Sequence, residues 1–324
     1  MARLRVGVLR GGLGDEYDVS LKTGWEVICA LPQDKFDISD IFIDKKGSWY
    51  VNGLISHPVE IANRIDVAFN ALHGQFGEDG RLQKILENLG LPFTGSGSFG
   101  SALAMNKKLT KKIIIDQGIK TPKSIVGQIK DKLETIVDKA FKTFSPPWIV
   151  KPNNSGSSVG ISLAGNKQDL FQSCQKAFES SKEIIIEEYI CGREATLGVI
   201  DNFRGQDLYT LPPVEIKLST EHCIFDFEAK YSGQTEEICP GRFSPKEVEE
   251  MSKIASAVHK KLFLNGYSRS DFIISPQRGV YFLEVNSLPG LTSQSLFPKS
   301  LEAIGCDLKS FIEHQIDLSL KSIR

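Results

Sequence analysis

The chain has 324 residues, enough for two or three domains of ordinary size. Its hydrophobic fraction of 41% is typical of a globular protein, and its formal net charge of −1 gives no reason to expect a nucleic-acid or membrane-surface partner. The six cysteines are scattered without a CxxC pair, which argues against a zinc site or a disulfide framework and predicts free thiols in a reducing cytoplasm.

The first part of the chain alternates strands and helices. The apolar strand "LRVGVLRGG" is followed by a helix over about 20–31, and "FDISDIFID" and "DVAFNALHG" are the second and third predicted strands. A helix over 81–88 and the strand "LPFTGSG" complete the pattern. This alternation predicts βαβ units around a mainly parallel sheet, in a first domain over residues 1–95.

The rest of the chain mixes strands and helices less regularly. "SALAMNKKLTKKIIIDQG" predicts one basic helix that stops at Gly118, and "PPWIVKPNNSGSSVGISLA" predicts a strand, a loop and a second strand. Helices over 132–144 and 169–180 and the strand "EIIIEEYI" complete a smaller α+β domain over 96–186. A third domain over 187–324 has several strands, a polar loop over about 219–245, and helices over 246–263 and 307–321.

Targeting signals are weak in this sequence. The apolar run at the N-terminus is too short for a signal peptide, and no apolar stretch of about 18 residues occurs anywhere. We therefore expect a soluble, cytoplasmic protein.

The segment "YSRSDFIISPQRGVYFLEVNS" predicts a β-hairpin that places carboxylates opposite each other. If Ser275 pairs with Val280 across the turn, then Asp271 lies opposite Glu284 and Arg269 lies opposite Asn286, all on one face. The other face would carry an apolar set that suits a core, namely Phe272, Ile274, Tyr281 and Leu283.

Opposed carboxylates repel each other unless a positive charge lies between them. A hard divalent cation is a natural solution, because Asp271, Glu284 and Asn286 all offer the oxygen ligands that such ions prefer. An exposed sheet face with solvated charges, or a slipped register, remains open as an alternative.

Other segments give weaker signals. Lys151 ends a strand before the Ser/Gly loop of "VKPNNSGSSVGIS", whose backbone N–H groups could cradle a phosphate or form an ordinary hairpin. Lys107 could be a solvated helix charge. His73 could be a ligand or base, although a histidine at a strand end is more often structural. The chain lacks GxGxxG and GxSxG patterns, which argues against dinucleotide binding and serine hydrolysis.

Taken in order, these segments resemble the D-alanine–D-alanine ligase family of the ATP-grasp superfamily over nearly the whole chain. The resemblance rests on eight segments at compatible spacings: "GGLGDEYDVSLKTG", "LHGQFGEDG", "LPFTGSGSFGSALAMNK", "IVKPNNSGSSVGIS", "IIIEEYICGRE", "FEAKYSGQT", "SRSDF" and "FLEVNSLPGLTSQS". It implies a three-domain ATP-grasp fold of α/β and α+β type, with an N-terminal parallel-sheet domain.

The resemblance also implies a reaction: ATP phosphorylates one D-alanine, a second D-alanine attacks the acyl phosphate, and the dipeptide serves peptidoglycan precursor synthesis. Two Mg²⁺ ions, which Mn²⁺ can replace, would be bound by Asp271, Glu284 and Asn286. The family's ATP contacts match a larger set: Lys107, Lys151, Ser157, Ser158, Glu187, Tyr189, Ile190, Glu194, Lys230 and Asn286. The resemblance implies a homodimer, and it implies no nucleic-acid or membrane partner.

On the substrate side, the resemblance gives Arg269 and the N–H of Gly290 the task of stabilising the tetrahedral oxyanion. His73, Ser295 and Leu296 match substrate contacts. A triad of Asp18, Ser157 and Tyr231 matches the family's glutamate, serine and tyrosine, which hold the first D-alanine and tether a loop.

The chain departs from the family pattern at several positions. Asp18 stands where we place the family's glutamate, Asn106 replaces an aspartate, and Gly14 replaces a serine. Ser268 replaces a glycine, and the loop between Tyr231 and Pro240 is about one residue short. These departures keep two alternatives open, namely a ligase with another acceptor such as D-serine and a non-catalytic nucleotide-binding module.

Overall fold

The computed structural model describes residues 3–154, 160–217 and 235–321. The first sheet has the strand order β4-β3-β2-β1-β5, and β1 pairs in parallel with both β2 and β5. Its strands are β1 (Leu4–Gly11), β2 (Phe36–Ile43), β3 (Trp49–Val51), β4 (Leu54–Ile55) and β5 (Val67–Asn70). The prediction of parallel pairing is confirmed for these three strands, while β3 and β4 add an antiparallel edge that the sequence did not predict.

The helices beside this sheet are α1 (Tyr17–Ala30), α2 (Pro58–Ala62) and α3 (Arg81–Asn88). The bounds predicted for α3 are confirmed, whereas the strand predicted at "LPFTGSG" is reduced to a single bridge between Ala68 and Phe93. The Ser20 hydroxyl of α1 accepts from the Gly11 N–H and donates to the Ala71 carbonyl. It thereby fixes α1 to the carboxyl ends of β1 and β5.

The basic helix predicted over 101–118 is wrong as one element, because the chain forms two helices there: α4 (Ser98–Met105) and α5 (Lys107–Ile115). Asn106 between them is extended, with φ −89° and ψ 94°, and its side-chain oxygen accepts from the Leu109 N–H at 3.0 Å. An asparagine side chain that caps a helix competes with the helical conformation of its own backbone, which explains the break.

The second sheet is antiparallel, in the order β6-β9-β7-β8. Its strands are β6 (Ser124–Gln128), β7 (Trp148–Pro152), β8 (Ser162–Ala164) and β9 (Glu183–Glu188), and its helices are α6 (Leu133–Thr143) and α7 (Lys167–Ser180). An apolar core that includes Ile136, Trp148 and Leu170 is buried between the helices and one face of the sheet.

The third sheet has the order β13-β12-β10-β14-β15, with β11 paired to β10. Its strands are β10 (Arg193–Phe203), β11 (Gln206–Thr210), β12 (Val214–Lys217), β13 (Glu236–Ile238), β14 (Tyr267–Ser275) and β15 (Gly279–Asn286). The helices that follow are α8 (Pro245–Lys261), α9 (Leu296–Glu302) and α10 (Leu308–Lys321).

Packing leaves one face of the third sheet for polar groups. Met251 and Val258 of α8 bury the opposite face together with Phe272 and Phe282. A separate core joins this region to the first sheet, since Phe297 and Phe311 lie in one cluster with residues of β1 and β5. The polar face of β14 and β15 is therefore held between rigid elements.

The division into domains at 95/96 and 186/187 stays a prediction, and strand β9 runs across its second boundary. Within the described ranges, no helix combines the length and the apolar character that crossing a membrane requires.

Candidate active site

The hairpin of β14 and β15 brings four predicted site residues onto one face. Asp271 pairs with Glu284 and Arg269 pairs with Asn286, which confirms the register predicted for these positions. The pairing of Ser275 with Val280 was wrong, because a β-bulge after Asp271 makes Leu283 an extra residue and shifts Ser275 onto Gly279.

The bulge also places each of the remaining residues of β15 on the sheet face opposite to the one predicted. Tyr281 now lies opposite Ile273 instead of facing the core, and both contact Ile190 in a small apolar cluster that Leu283 extends. The sequence had assigned Tyr281 and Leu283 to the core face. Their true position gives the polar face an apolar surface at one end, of the kind that a flat heterocycle can pack against.

The two opposed carboxylates are compensated by neighbouring groups. Arg269 donates from Nε and Nη2 to both oxygens of Asp271, at 3.0 and 3.1 Å, and the Thr196 hydroxyl donates to the same carboxylate at 2.6 Å. Lys107 Nζ lies 3.4 Å from Glu284 Oε2. Burial alone would lower the pKa of the Arg269 guanidinium, but Asp271, followed by Glu284, outweighs it, so the pKa is raised.

The donor set of this face fits a hard divalent cation. Asp271 and Glu284 offer carboxylate oxygens, and Asn286 Oδ1 is held in place by the Leu288 N–H at 2.9 Å. Among residues 3–154, 160–217 and 235–321, no group of three or more His, Cys, Asp and Glu side chains is arranged to hold a metal. Two carboxylates and one amide therefore suit an ion such as Mg²⁺ that also takes oxygens from a bound phosphate.

Lys107 is placed by the junction between α4 and α5. The Asn153 side chain accepts from the Lys108 N–H at 2.9 Å and donates to Asn106 Oδ1 at 3.1 Å. Within the described ranges, the Asn106 side chain accepts hydrogen bonds through Oδ1, and an aspartate could accept in the same way. Its replacement of the family's aspartate therefore leaves the position of Lys107 intact.

A buried cluster of charges lies beside this face. Glu187 on β9 contacts Lys111 of α5 through Oε1 and Lys151 of β7 through Oε2, the latter at 2.8 Å. Burial would raise the pKa of Glu187, but Lys111 and then Lys151 outweigh burial, so this pKa is lowered. Burial would lower the pKa of Lys151, but Glu187 and then Glu284 outweigh burial, so this pKa is raised. Burial, together with Lys151, lowers the pKa of Lys111. Glu187 is 2% exposed, so in this structure it acts as a counter-ion for two lysines.

The other predicted nucleotide contacts lie along the chain from β9 into β10. Tyr189 donates its N–H to the Pro147 carbonyl at 3.2 Å, and Ile190 is buried in the apolar cluster with Tyr281. Glu194 pairs with Ile273 and so lies on the same face as Asp271. The predicted residues Ser157, Ser158, Lys230 and Tyr231 lie outside the described residues.

The carboxyl ends of β1 and β5 supply a further polar group. His73, 5% exposed, bonds to the Thr23 hydroxyl at 2.8 Å and to Glu78 at 3.3 Å. Burial alone would lower the pKa of His73, but Glu78 outweighs it, with a smaller effect from Glu16, so the pKa is raised. Glu78 is a site residue that the sequence reasoning missed, although its place in "HGQFGE" five residues after His73 was visible.

Glu16 is the second missed residue. It precedes the first turn of α1, and a Cβ atom built at Gly74 would lie 2.5 Å from its Oε2. The predicted Asp18 is exposed. It lies two residues further along the chain, so the helical rotation of about 200° places its side chain on a different side of α1 from Glu16. The structure thus brings Glu16, and not Asp18, to His73. An acidic residue at the loop–helix junction was the available signal.

The segment after β15 carries the remaining predicted residues. A Cβ atom built at Gly290 would lie 2.9 Å from Ser295 Oγ, so these two residues are close neighbours. The Ser295 hydroxyl bonds to Thr292 at 2.8 Å, and Leu296 begins α9. His73 also bonds to the backbone of Leu288, which connects this segment to the first sheet.

Two other departures from the family pattern have local explanations in the structure. The buried Ser268 hydroxyl bonds to His259 Nδ1 at 2.7 Å on the α8 side of the sheet. A Cβ atom at Gly14 would lie 3.2 Å from backbone atoms of Gln75, so this close approach favours glycine.

Comparisons with known proteins agree with the sequence resemblance. Family models described as D-ala D-ala ligase N-terminus and D-ala D-ala ligase C-terminus match residues 54–96 and 113–317. A D-alanine–D-alanine ligase from Carboxydothermus hydrogenoformans is 35% identical over 322 residues, which covers 98% of this chain and 99% of that relative.

Solved structures of the same kind are similar in fold. The D-alanine–D-alanine ligase from Bacillus anthracis complexed with ATP has a TM-score of 0.82 and 33% identity, covering 98% of both chains. The VanG D-Ala:D-Ser ligase from Enterococcus faecalis has a TM-score of 0.86 and 29% identity, covering 98% of this chain and 100% of that one. The fold predicted from the resemblance is thereby confirmed.

The raised pKa of His73 makes a prediction about pH. A group whose pKa lies above its ordinary 6.5 in the folded state stabilises the fold fully below that value and loses this contribution as the pH rises through the folded-state pKa. The free energy of unfolding in urea should therefore fall as the pH rises from about 6.5 through the pKa of His73 in the folded protein. The fall should be smaller in His73→Gln and in Glu78→Gln. A pH dependence identical in all three proteins would contradict the pairing.

Proposed function

The chain belongs to the D-alanine–D-alanine ligase family, and we propose that it joins two molecules of D-alanine with ATP as co-substrate, in the cytoplasm and as a homodimer. The observation that carries this proposal is the pairing of β14 with β15, which places Arg269, Asp271, Glu284 and Asn286 on one face. Lys151 lies near enough for Glu284 and Asp271 to raise its pKa. This concentration of cations and oxygen ligands suits phosphoryl transfer between two anionic substrates.

The first step transfers the γ-phosphoryl group of ATP to the carboxylate of the first D-alanine, giving D-alanyl phosphate and ADP. Lys107 and Lys151 neutralise phosphate oxygens, and the apolar cluster of Ile190 and Tyr281 receives the adenine beside Glu187 and Tyr189. Glu194 on the same face contacts the ribose. Asp271, Glu284 and Asn286 would hold Mg²⁺, which would supply positive charge to the phosphate oxygens.

In the second step the amine of the second D-alanine attacks the acyl carbon, the amine loses a proton, and phosphate leaves as the peptide bond forms. Arg269 uses Nε and Nη2 on Asp271, so its Nη1 is the donor assigned to the oxyanion, together with the N–H of Gly290. Ser295 and Leu296 hold the carboxylate of the second D-alanine. The product serves peptidoglycan precursor synthesis.

We assign the ammonium group of the first D-alanine to Glu16, in the role that the sequence gave to Asp18. The support is its position beside Gly74 and its effect on His73. With Glu16 in this role, a glutamate would contact the first substrate, as the resemblance implies for the family, and the shorter side chain of Asp18 would not bear on its binding. Ser157 and Tyr231 keep their assigned roles in closing the site against water.

The direct test is the reaction itself. With D-alanine, ATP and Mg²⁺, we expect ADP release coupled to D-alanyl-D-alanine, detected by mass spectrometry, and none of this product with L-alanine. Nucleotide binding without turnover would favour the non-catalytic module. A mixed D-alanyl-D-serine product formed in preference to D-alanyl-D-alanine would favour the other acceptor. The relative at 35% identity over nearly the whole chain is a D-alanine–D-alanine ligase, which supports D-alanine.

Glu284→Gln tests the carboxylate pair. Losing a ligand that provides several kcal/mol of charge stabilisation should reduce kcat by about 100-fold or more. The urea unfolding midpoint should change little, because Glu284 is partly exposed in the folded protein. Glu302→Gln on the exposed surface of α9 is the matched control and should keep full activity. Normal turnover in Glu284→Gln would overturn the proposed metal ligands.

Glu16→Gln and Asp18→Asn separate the two candidates for the ammonium contact. Loss of a charged hydrogen-bond partner costs roughly 1.5–3 kcal/mol, so Glu16→Gln should raise the KM for the first D-alanine by about 10- to 100-fold. Asp18→Asn should leave it nearly unchanged, since Asp18 is exposed. A raised KM in Asp18→Asn together with an unchanged KM in Glu16→Gln would assign the ammonium contact to Asp18 instead.

A further inference from the structure

One buried lysine beside the nucleotide site has no role in the reaction described above. Lys111 of α5 is 3% exposed, and its ammonium contacts Glu187 Oε1 and donates to the Pro122 carbonyl at 2.9 Å. Its helix neighbour Lys112 is exposed. A lysine is rarely buried without a strong reason, because its ammonium loses hydration there.

The cluster around Glu187 contains two lysine ammonium groups that contact one carboxylate. Lys151 contacts the other carboxylate oxygen at 2.8 Å, so two lysines share a single carboxylate in a region where all three side chains are at most 6% exposed. One lysine would be enough to neutralise Glu187. The second makes sense if one of the two has another anion to bind.

The proposed function gives that anion to Lys151, whose ammonium must reach the phosphates of ATP. When it does so, its attraction to Glu187 weakens, and a buried carboxylate without a cation is unfavourable. Lys111 is placed to prevent this, because its contact with Pro122 and the fixed position of α5 keep it at Glu187. Lys107, one helical turn earlier, points to Glu284 instead.

We propose that Lys111 is a positioning residue, a permanent counter-ion for Glu187 that frees Lys151 to bind the nucleotide phosphates. This inference rests on the proposed function, since it takes Lys151 as a phosphate ligand. Lys111 itself contacts no substrate. Its effect should therefore depend on the phosphates of the ligand and on the charge of Glu187.

The first experiment compares adenosine with ADP in the presence of Mg²⁺, by calorimetric titration of the full chain. Lys111→Met keeps the apolar stem and removes the charge. The Kd for ADP should rise by about 10- to 100-fold, the range for outer partners of a charged site, while the Kd for adenosine changes less than about threefold. Lys111→Arg should restore ADP binding, and Lys112→Met is the matched surface control.

The second experiment is a double-mutant cycle with Glu187→Gln. Lys111→Met should weaken ADP binding when Glu187 is present and have little effect when residue 187 is glutamine, because no carboxylate then holds Lys151. The double variant buries fewer charges, so it keeps the test valid if Lys111→Met alone folds poorly. Urea unfolding checks this for each protein.

Three results would overturn the inference: unchanged ADP affinity in Lys111→Met, an equal loss of adenosine and ADP affinity, or the same loss in both backgrounds at position 187. A failure of the proposed function looks different. In that case the natural chain forms no D-alanyl-D-alanine, whatever the ADP titrations give.

Discussion

Two carboxylates that face each other across neighbouring strands set the main constraint on this molecule. Asp271 and Glu284 repel each other, so the structure must place cations close to both of them. Arg269 comes from the same strand and Lys107 from α5, which belongs to another part of the fold. The relative position of α5 and the third sheet is thereby tied to the charge balance of the site.

Like charges also lie close together around Glu187, but here they are two positive charges with a carboxylate between them. There a single buried carboxylate is surrounded by Lys111 and Lys151, so the cluster has an excess of positive charge. A protein that must bind a polyanion benefits from cations that are already desolvated and held in place, since less reorganisation is then needed on binding. Both charge clusters lie where α5 meets strands of the second and third sheets.

The substrate end of the site depends on packing. The core that joins β1 and β5 to Phe297 and Phe311 brings His73 and Glu16 toward the segment that begins at Leu288. The carboxyl ends of parallel strands are a common place for ligand groups, because loops from several strands converge there. Buried apolar contacts thereby position the polar groups at this end of the site.

The sequence by itself determined the class of fold and the parallel pairing of β1 with its neighbours, because strand periodicity and turn residues are local features. It also placed Asp271 opposite Glu284, but from a pairing of Ser275 with Val280 that the structure does not have, and the bulge compensates for that error. Only the tertiary structure decided the bulge that turns Tyr281 to the polar face, the position of Glu16 beside Gly74, and the burial of Lys111. The positions of Glu16 and Lys111 depend on contacts between residues far apart in the chain. The break at Asn106 is a local effect of helix capping that the sequence reasoning missed. A lysine on a basic helix has the same local sequence whether it is solvated or buried against a carboxylate, so its role becomes visible only when the partner strand is in place.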